Sequence, residues 1–331
     1  MRLPSILRIR KSPSSRLRGV VIAALAVSAC ASGKGNGERP GESPLPRFAV
    51  LSAFPAELAP LLIQATIDGM LLLEGHVFRT GVLGGVPVVL GLTGIGLVNA
   101  ATTTRAVLEQ FDLAGVVFSG VAGSLLSIGD VGVPETWALT DGLIYSAPGE
   151  WLELAHEIAA SGAVSLERCT VVPPVFSEEP VCMPHEPAVL VGGMGQSSDP
   201  FGGKPFPCLA NGGDVFGCDV TPPDTASEPR GDRSRPGTRA TVDAEAPVVT
   251  DMETAAIARE AAARGVPFIA FRAVSDGADD PLGLPGFPVQ FFAYYRLGAH
   301  NAAAAAVAFL GRLATVMPGP ARGAAAEDPA E

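Results

Sequence analysis

The stretch "VVTDMETAAIARE" (residues 248–260) decides the fold. Its first half is a short apolar run of the kind that fills a covered strand. Its second half is alanine-rich, with the spacing of a helix. Two carboxylates, Asp251 and Glu253, stand at the junction on either side of Met252. Acids there complement a helix dipole for ~0.3–1 kcal/mol each. Carboxylates are rarely buried without a partner. A strand running directly into a helix, with acids at the strand's carboxyl end, is the signature of an α/β layer. In such folds ligands collect at that end.

The same alternation extends in both directions. Upstream, "RFAVLSAF" (47–54) reads as a strand. "PAELAPLLIQAT" is a helix opened by Pro55, since proline suits the first helical position. "HVFRTGVLGGVPVVLGLTGIG" is two strands around a Gly-Gly turn, and "LVNAATTTRAVLEQF" is a helix. "AGVVFSGVAGSL" is a buried strand ending in a glycine-containing loop, "VGVPETWALTD" a strand and "EWLELAHEIAAS" a helix. "PAVLVGG" is a strand, as is "VPFIAFRAVSD", and "QFFAYYRLGAHNAAAAAVAFLGRLA" is a long closing helix. Strands alternating with helices, and apolar throughout, predict a single three-layer α/β domain over residues 47–318, with a mixed, twisted central sheet flanked by helices. Roughly 270 residues suffice for one large core. The composition, 47% hydrophobic and 17% charged, fits a compact globule. The net charge of −11 argues against nucleic acid or an anionic membrane surface as a partner.

Residues 1–29 are basic and then apolar, "VVIAALAVSAC", which is too short to span a bilayer comfortably and reads as an export signal. The "VSAC" ending resembles a bacterial lipobox. That resemblance implies cleavage before Cys30, lipid attachment to its sulfur, and a periplasm-facing chain in the bacterial cell envelope, anchored to the membrane by lipid alone. An outer-membrane address is preferred over an inner one. Residues 30–46 are a polar Gly/Ser/Pro tether, and 319–331 read as a disordered tail. The other cysteines, Cys169, Cys182, Cys208 and Cys218, are even in number and clustered in an exported chain. They read as two disulfides. Nearest-neighbour pairing, Cys169–Cys182 and Cys208–Cys218, is the preferred of three connectivities. Zinc is the alternative, but no CxxC pair supports it, and no metal or cofactor is expected. The Cys-rich stretch, about 169–245, reads as an insertion held over the cleft by its cross-links, steadying Phe216.

The strand ends "SAFPAE", "TGIG", "SGVAG", "TDME" and "RAVSD" bring Glu57, Met252, Glu253, Arg272, Ser275 and Asp276 toward one cleft. Together with "IGDV", "GGDVF" and "TDMETAAIA", these stretches resemble the 5′-methylthioadenosine/S-adenosylhomocysteine nucleosidases of the purine nucleoside phosphorylase-like superfamily. The matching stretches fall within residues 48–131 and 212–276, in family order. The resemblance implies a small-molecule purine nucleoside as partner and hydrolysis of its N-glycosidic bond. Asp276, oriented by Ser275, would protonate the purine. Glu253 would hold the ribose hydroxyls over Met252, leaving Asp251 as a helix cap. Phe216 would stack on the base. Backbone groups of Val121, Ala122 and Gly123 would line base and sugar, with Ile95 and Phe54 walling the cleft. Glu57, with Arg272, would position the attacking water. The superfamily's phosphorylases hold phosphate with arginines. Here the first loop carries Glu57, and Phe118 precedes "SGVAG", which favours hydrolysis. "GVAGS", with Val121 where the family usually has serine, leaves the 5′ end of the substrate open. Phosphorolysis, a non-catalytic nucleoside-binding lipoprotein, and a homodimer also stay open.

Overall fold

A computed structural model describes residues 46–220 and 247–317. The export signal, Cys30, the tether, residues 221–246 of the Cys-rich stretch and the C-terminal tail lie outside the described residues.

The first half of the domain builds the sheet edge. β1 (Arg47–Ser52) leads into α1 (Pro55–Gln64), then into a meander of β2 (Thr66–Leu73), β3 (His76–Leu83) and β4 (Val86–Leu92). β2 is absent from the sequence reading because its "TIDGMLLL" is largely exposed and lacks a clean alternation. Gly84 and Gly85, both at positive φ, make the tight turn that pairs Leu83 with Val86. The predicted Gly-Gly hairpin is therefore present. β4 pairs in parallel with β1, and α2 (Leu97–Gln110) returns the chain to β5 (Leu113–Ser127).

β5 corrects one expectation. "SGVAGS" is not a loop; the strand runs for 15 residues through it. Its neighbours explain this. One end pairs with β1, and the other lies between β13 (Pro247–Asp251) and β14 (Phe268–Ala278). Ladder pairing with β14, and at Gly123 with β13 as well, holds the glycines extended. The register sets Gly120 beside Arg272 and Gly123 beside both Asp276 and Thr250.

The chain then adds β6 (Val131–Val133), β7 (Thr136–Leu139), β8 (Ile144–Ser146) and α3 (Gly149–Ser161). Beyond these come the small hairpin of β9 (Cys169–Thr170) and β10 (Val181–Cys182), then β11 (Val189–Val191), β12 (Met194–Ser197) and the short α4 (Gly213–Phe216). α5 (Thr254–Ala262) follows β13, and α6 (Gly286–Val316) closes the fold. The main sheet is mixed, in the order β2-β3-β4-β1-β5-β13-β12-β7-β8, with β14 branching from β5, β6 pairing with β14 and β11 joining β6.

Side chains alternate between the two faces of this sheet. Val50 and Val117 join Leu58, Leu61, Trp151, Phe271 and Phe309 on the face covered by α1, α3 and α6. Ala49, Leu51 and Phe118 join Ala255 and Ile257 on the face covered by α2 and α5. The period of two sends successive strand residues to opposite faces, which makes the three layers.

The Cys-rich stretch is not one insertion. β11 and β12 lie within it, and both are strands of the main sheet. Disulfides join Cys169 to Cys182 and Cys208 to Cys218. Only the second lies at the cleft. The first staples the β9–β10 hairpin, where Val172, Val181 and Met183 pack on Ile128, Val274 and Tyr294 in a separate cluster. That half of the stretch is therefore ordered by apolar burial as well as by its cross-link.

Candidate active site

At the carboxyl ends of β5, β13 and β14 lies a cavity of about 550 Å³. Its floor carries Val121, Ala122, Gly123, Met252, Glu253, Arg272, Ser275 and Asp276; Phe54, Ile95 and Phe216 stand in its walls. The three strands bring together nearly all the residues singled out from the sequence.

Arg272 organises the floor. It is 1% exposed, and three carboxylates surround it. Its Nε lies 3.2 Å from Asp251 Oδ2, Nη2 lies 3.5 Å from Glu253 Oε2, and Nη1 lies 3.8 Å from Glu57 Oε1. Nη2 also donates to the Val121 carbonyl, and the guanidinium sits 4.6 Å from the centre of the Phe118 ring. A buried charge demands such pairing. Three acids share this one cation.

Each acid is held separately. Glu253 Oε1 accepts the Gly96 N–H at 2.8 Å. Burial, then the neighbouring Asp251 charge, push its pKa up to about 8, against the pull of Arg272. Asp251 accepts from the N–H groups of Glu253 and Thr254, and from the hydroxyls of Ser197 and Thr254. It caps the helix, as expected, and also pairs with Arg272, so capping is only part of its work.

Glu57 departs from the sequence reading. It is fully buried and does not line the cavity. Its carboxylate accepts the backbone N–H groups of Ala53 and Val121, each at 2.7 Å, beneath Gly120. The first turn of α1 points it inward, behind Arg272. Burial raises its pKa, opposed by Arg272 and by the backbone N–H groups of Val121, Ala53 and Phe54.

Asp276 is half-buried, with Ser275 Oγ donating to its Oδ1 at 2.8 Å. Burial raises its pKa and the serine bond lowers it. Gly123 lies so close that an added Cβ would meet Asp276 Oδ2 at 2.6 Å. The missing side chain leaves room for the carboxyl.

Several wall residues escaped the sequence reading. Phe201 and Phe206 come from the loop before α4, and Phe287, Phe291 and Phe292 from the start of α6. Ring centroids follow one another from Phe201 to Phe206 at 4.8 Å, to Phe216 at 6.1 Å, to Phe292 at 6.4 Å and to Phe291 at 5.1 Å. The result is an aromatic arc above the acids. Gly96, at φ 95°, allows the Phe201 ring to approach the loop that holds Glu253. Phe291 and Tyr295, four residues apart on α6 with stacked rings, were a usable signal; Phe287, at a non-helical kink, and the two loop phenylalanines offered none.

A mixed three-layer sheet with an acid-rich floor at its strand ends places this chain in the nucleoside phosphorylase-like class. The chain belongs to the phosphorylase superfamily, whose family model matches residues 47–167 and 233–311. It is 35% identical over 187 residues to an uncharacterised protein of Mycobacterium tuberculosis, covering 51% of this chain and 75% of that one. It is 26% identical over 272 residues to the 5′-methylthioadenosine/S-adenosylhomocysteine nucleosidase of Shewanella denitrificans, covering 81% and 100%. Among solved structures, the nucleosidase of that name from Neisseria meningitidis, in complex with methylthio-immucillin-A, aligns with a TM-score of 0.54 at 22% identity, over 81% of this chain and 99% of that one. The futalosine hydrolase of Helicobacter pylori aligns at 0.53 and 21%, over 80% and 97%. At such identities the likeness is one of fold.

Proposed function

We propose that this protein hydrolyses the N-glycosidic bond of a purine nucleoside of the 5′-methylthioadenosine/S-adenosylhomocysteine type. The N9–C1′ bond breaks with its electron pair moving into the purine, and Asp276 delivers a proton to N7 so that the base leaves neutral. General acids of this kind contribute about 10²–10⁴-fold. Glu253 holds the ribose hydroxyls and, when ionised, stabilises the oxocarbenium-like sugar. Water adds to C1′ and gives its proton to Glu57. Arg272 lines the cavity and its Nη1 lies 3.8 Å from Glu57 Oε1, which couples Glu57 to the cavity floor. Glu57 thus acts from behind Arg272 rather than from the wall.

One observation carries hydrolysis over phosphorolysis. The sole cation lining the cavity among the described residues, Arg272, is already ringed by three carboxylates. A phosphate dianion needs uncommitted cationic forks. The test is release of free base from 5′-methylthioadenosine, inosine and adenosine with and without phosphate. Phosphate-independent release supports the reading. Strict phosphate dependence makes the protein a phosphorylase, and saturable binding without release makes it a binder. Glu57→Gln is expected to abolish hydrolysis in a folded protein.

We also propose that the protein works from a lipid anchor on Cys30 at the cell envelope. Support comes from the "VSAC" box behind its basic and apolar leader. Cys30→Ser should leave an unlipidated precursor, and a native chain free of lipid would overturn the assignment. No helix among the described residues is long and apolar enough to cross a membrane.

A further inference from the structure

The strand that delivers the proton donor stops following its neighbour at the donor itself. β14 pairs with β5 in unbroken register from Phe268 to Val274, then slips on both sides of Asp276. Ser275 and Gly277 fall out of the register; Asp276 meets Gly123, and Ala278 meets Ser127. Such irregularities re-aim a side chain and recur beside active sites. They also leave backbone groups that need a partner outside the ladder. The N–H of Gly277, the residue directly after the acid, is one.

Its partner is a side chain from another element. Gln290 Oε1, on the first turns of α6, accepts the Gly277 N–H at 3.0 Å. Gln290 is buried, and the other end of its amide is also anchored. Nε2 donates to Asp280 Oδ2 at 3.2 Å and to the Leu284 carbonyl at 3.3 Å. Acceptors on one side of the amide and a donor on the other fix its orientation. Asp280 is held in turn. It accepts the N–H groups of Leu282 at 2.9 Å and Leu284 at 2.6 Å, and the hydroxyl of the fully buried Tyr294. Burial, then Asp280, raise the Tyr294 pKa, so this hydroxyl stays a donor. Gln290, Asp280 and Tyr294 do not line the cavity.

Ser275 restrains the Asp276 carboxylate, but that bond does not hold the backbone beyond it. The space there is tight, since a Cβ at Gly277 would collide with the Leu126 carbonyl oxygen. A small rotation of the Gly277 peptide would therefore carry Asp276 with it.

We propose that Gln290 is a positioning residue for the proton donor: by holding the Gly277 amide where the ladder fails, it keeps the Asp276 carboxyl aimed at the base, with Asp280 and Tyr294 as its backing. This rests on the nucleosidase reading and deepens it. The next two residues of α6, Phe291 and Phe292, stand in the cavity wall. One helix turn thus sets both the donor and part of the aromatic arc.

The experiment uses the purified protein and 5′-methylthioadenosine without phosphate, with base release followed in the steady state and in single turnovers. Gln290→Leu removes both ends of the amide at similar volume. It should lower kcat by about 10–10²-fold, the larger figure being the penalty of a ~1 Å misplacement at a reacting centre, and leave KM within about threefold. The deciding readout is a double-mutant cycle with Asp276→Asn. Acting through Asp276, Gln290→Leu should change the residual single-turnover rate of Asp276→Asn by less than about twofold. A merely structural role would impose the same factor in both backgrounds. If Gln290→Leu fails to fold, Tyr294→Phe, which removes one hydroxyl behind Asp280, decides in the same cycle, with an expected loss of about three- to tenfold in kcat. Undiminished kcat in the folded variant, a loss carried by KM, or equal factors in the two backgrounds overturn this inference while leaving the nucleosidase reading standing. No release from the wild-type protein overturns both.

Discussion

Asp251 Oδ2 lies 3.2 Å from Arg272 Nε with both side chains buried, and the same carboxylate closes the start of α5 through the N–H groups of Glu253 and Thr254. One side chain therefore starts a helix and neutralises the cation of the site. Removing one partner of a buried ion pair typically costs about 3–5 kcal/mol. Asp251→Ala should lose stability on that scale in urea unfolding, and Asp251→Asn, which keeps an acceptor for the helix, clearly less. A loss under about 1 kcal/mol in the alanine variant would show that Glu57 and Glu253 already balance Arg272.

Asp276→Asn should bind substrate normally and lose about 10²–10⁴-fold in turnover. Ser275 stabilises the Asp276 carboxylate, so removing its hydroxyl raises the Asp276 pKa further. Because the acid must be protonated to act, the alkaline limb of the pH–rate profile of Ser275→Ala should move to higher pH. A limb that moves down, or stays fixed, would separate that limb from Asp276.

Glu253 has a folded pKa near 8 against an ordinary 4.5. Between those values the native state holds a proton that the unfolded chain has released, so stability falls as pH rises. The contribution is fully present below about pH 4.5 and is lost through about pH 8. Glu57 and Asp276 are raised in the same direction. The melting temperature should drop from pH 5 to pH 8.5, and Glu253→Gln should flatten much of that slope. An unchanged slope in that variant would place the titration elsewhere.

A methyl group at Gly120 would collide with Glu57 Oε1 and Arg272 Nη1, both fixed by buried pairing. Gly120→Ala should therefore lower turnover by at least about 10²-fold, since a misplacement of ~1 Å at a reacting centre carries that penalty. Gly149→Ala, with open space around its Cβ at the first turn of α3, is the control. It should keep full activity and gain about 0.4–1 kcal/mol.

Much of this architecture was legible because hydrophobic period and turn chemistry agree locally. The Gly84-Gly85 turn, the Pro55 helix start and the "VVTD" to "METAAIA" junction all carry their own signals. What stayed hidden depends on partners remote in sequence. "MGQS" of β12 has no alternation, and it is a strand because β7 and β13 flank it. "SGVAGS" looked like a loop because its glycines suggest one, whereas β13 and β14 hold it extended. The acids of the site were readable from their strand ends. The inward turn of Glu57 was not, because it depends on Val121 and Arg272 arriving from elsewhere in the chain.

The covalent ring is closed by Cys208 and Cys218, 10 positions apart in sequence, and Phe216 lies inside it. The acids stand on strands whose register is shared with the whole sheet; this wall ring stands on a loop closed by its own disulfide and tied to α6 through Asp214, which accepts from Tyr295 and Arg296. Such a loop is an exchangeable part. A descendant chain can lengthen it, retype its aromatics or shed it without re-registering β5 against β14. What the protein accepts can then drift freely while the bond it cuts stays the same, and the two properties can be inherited on separate timetables.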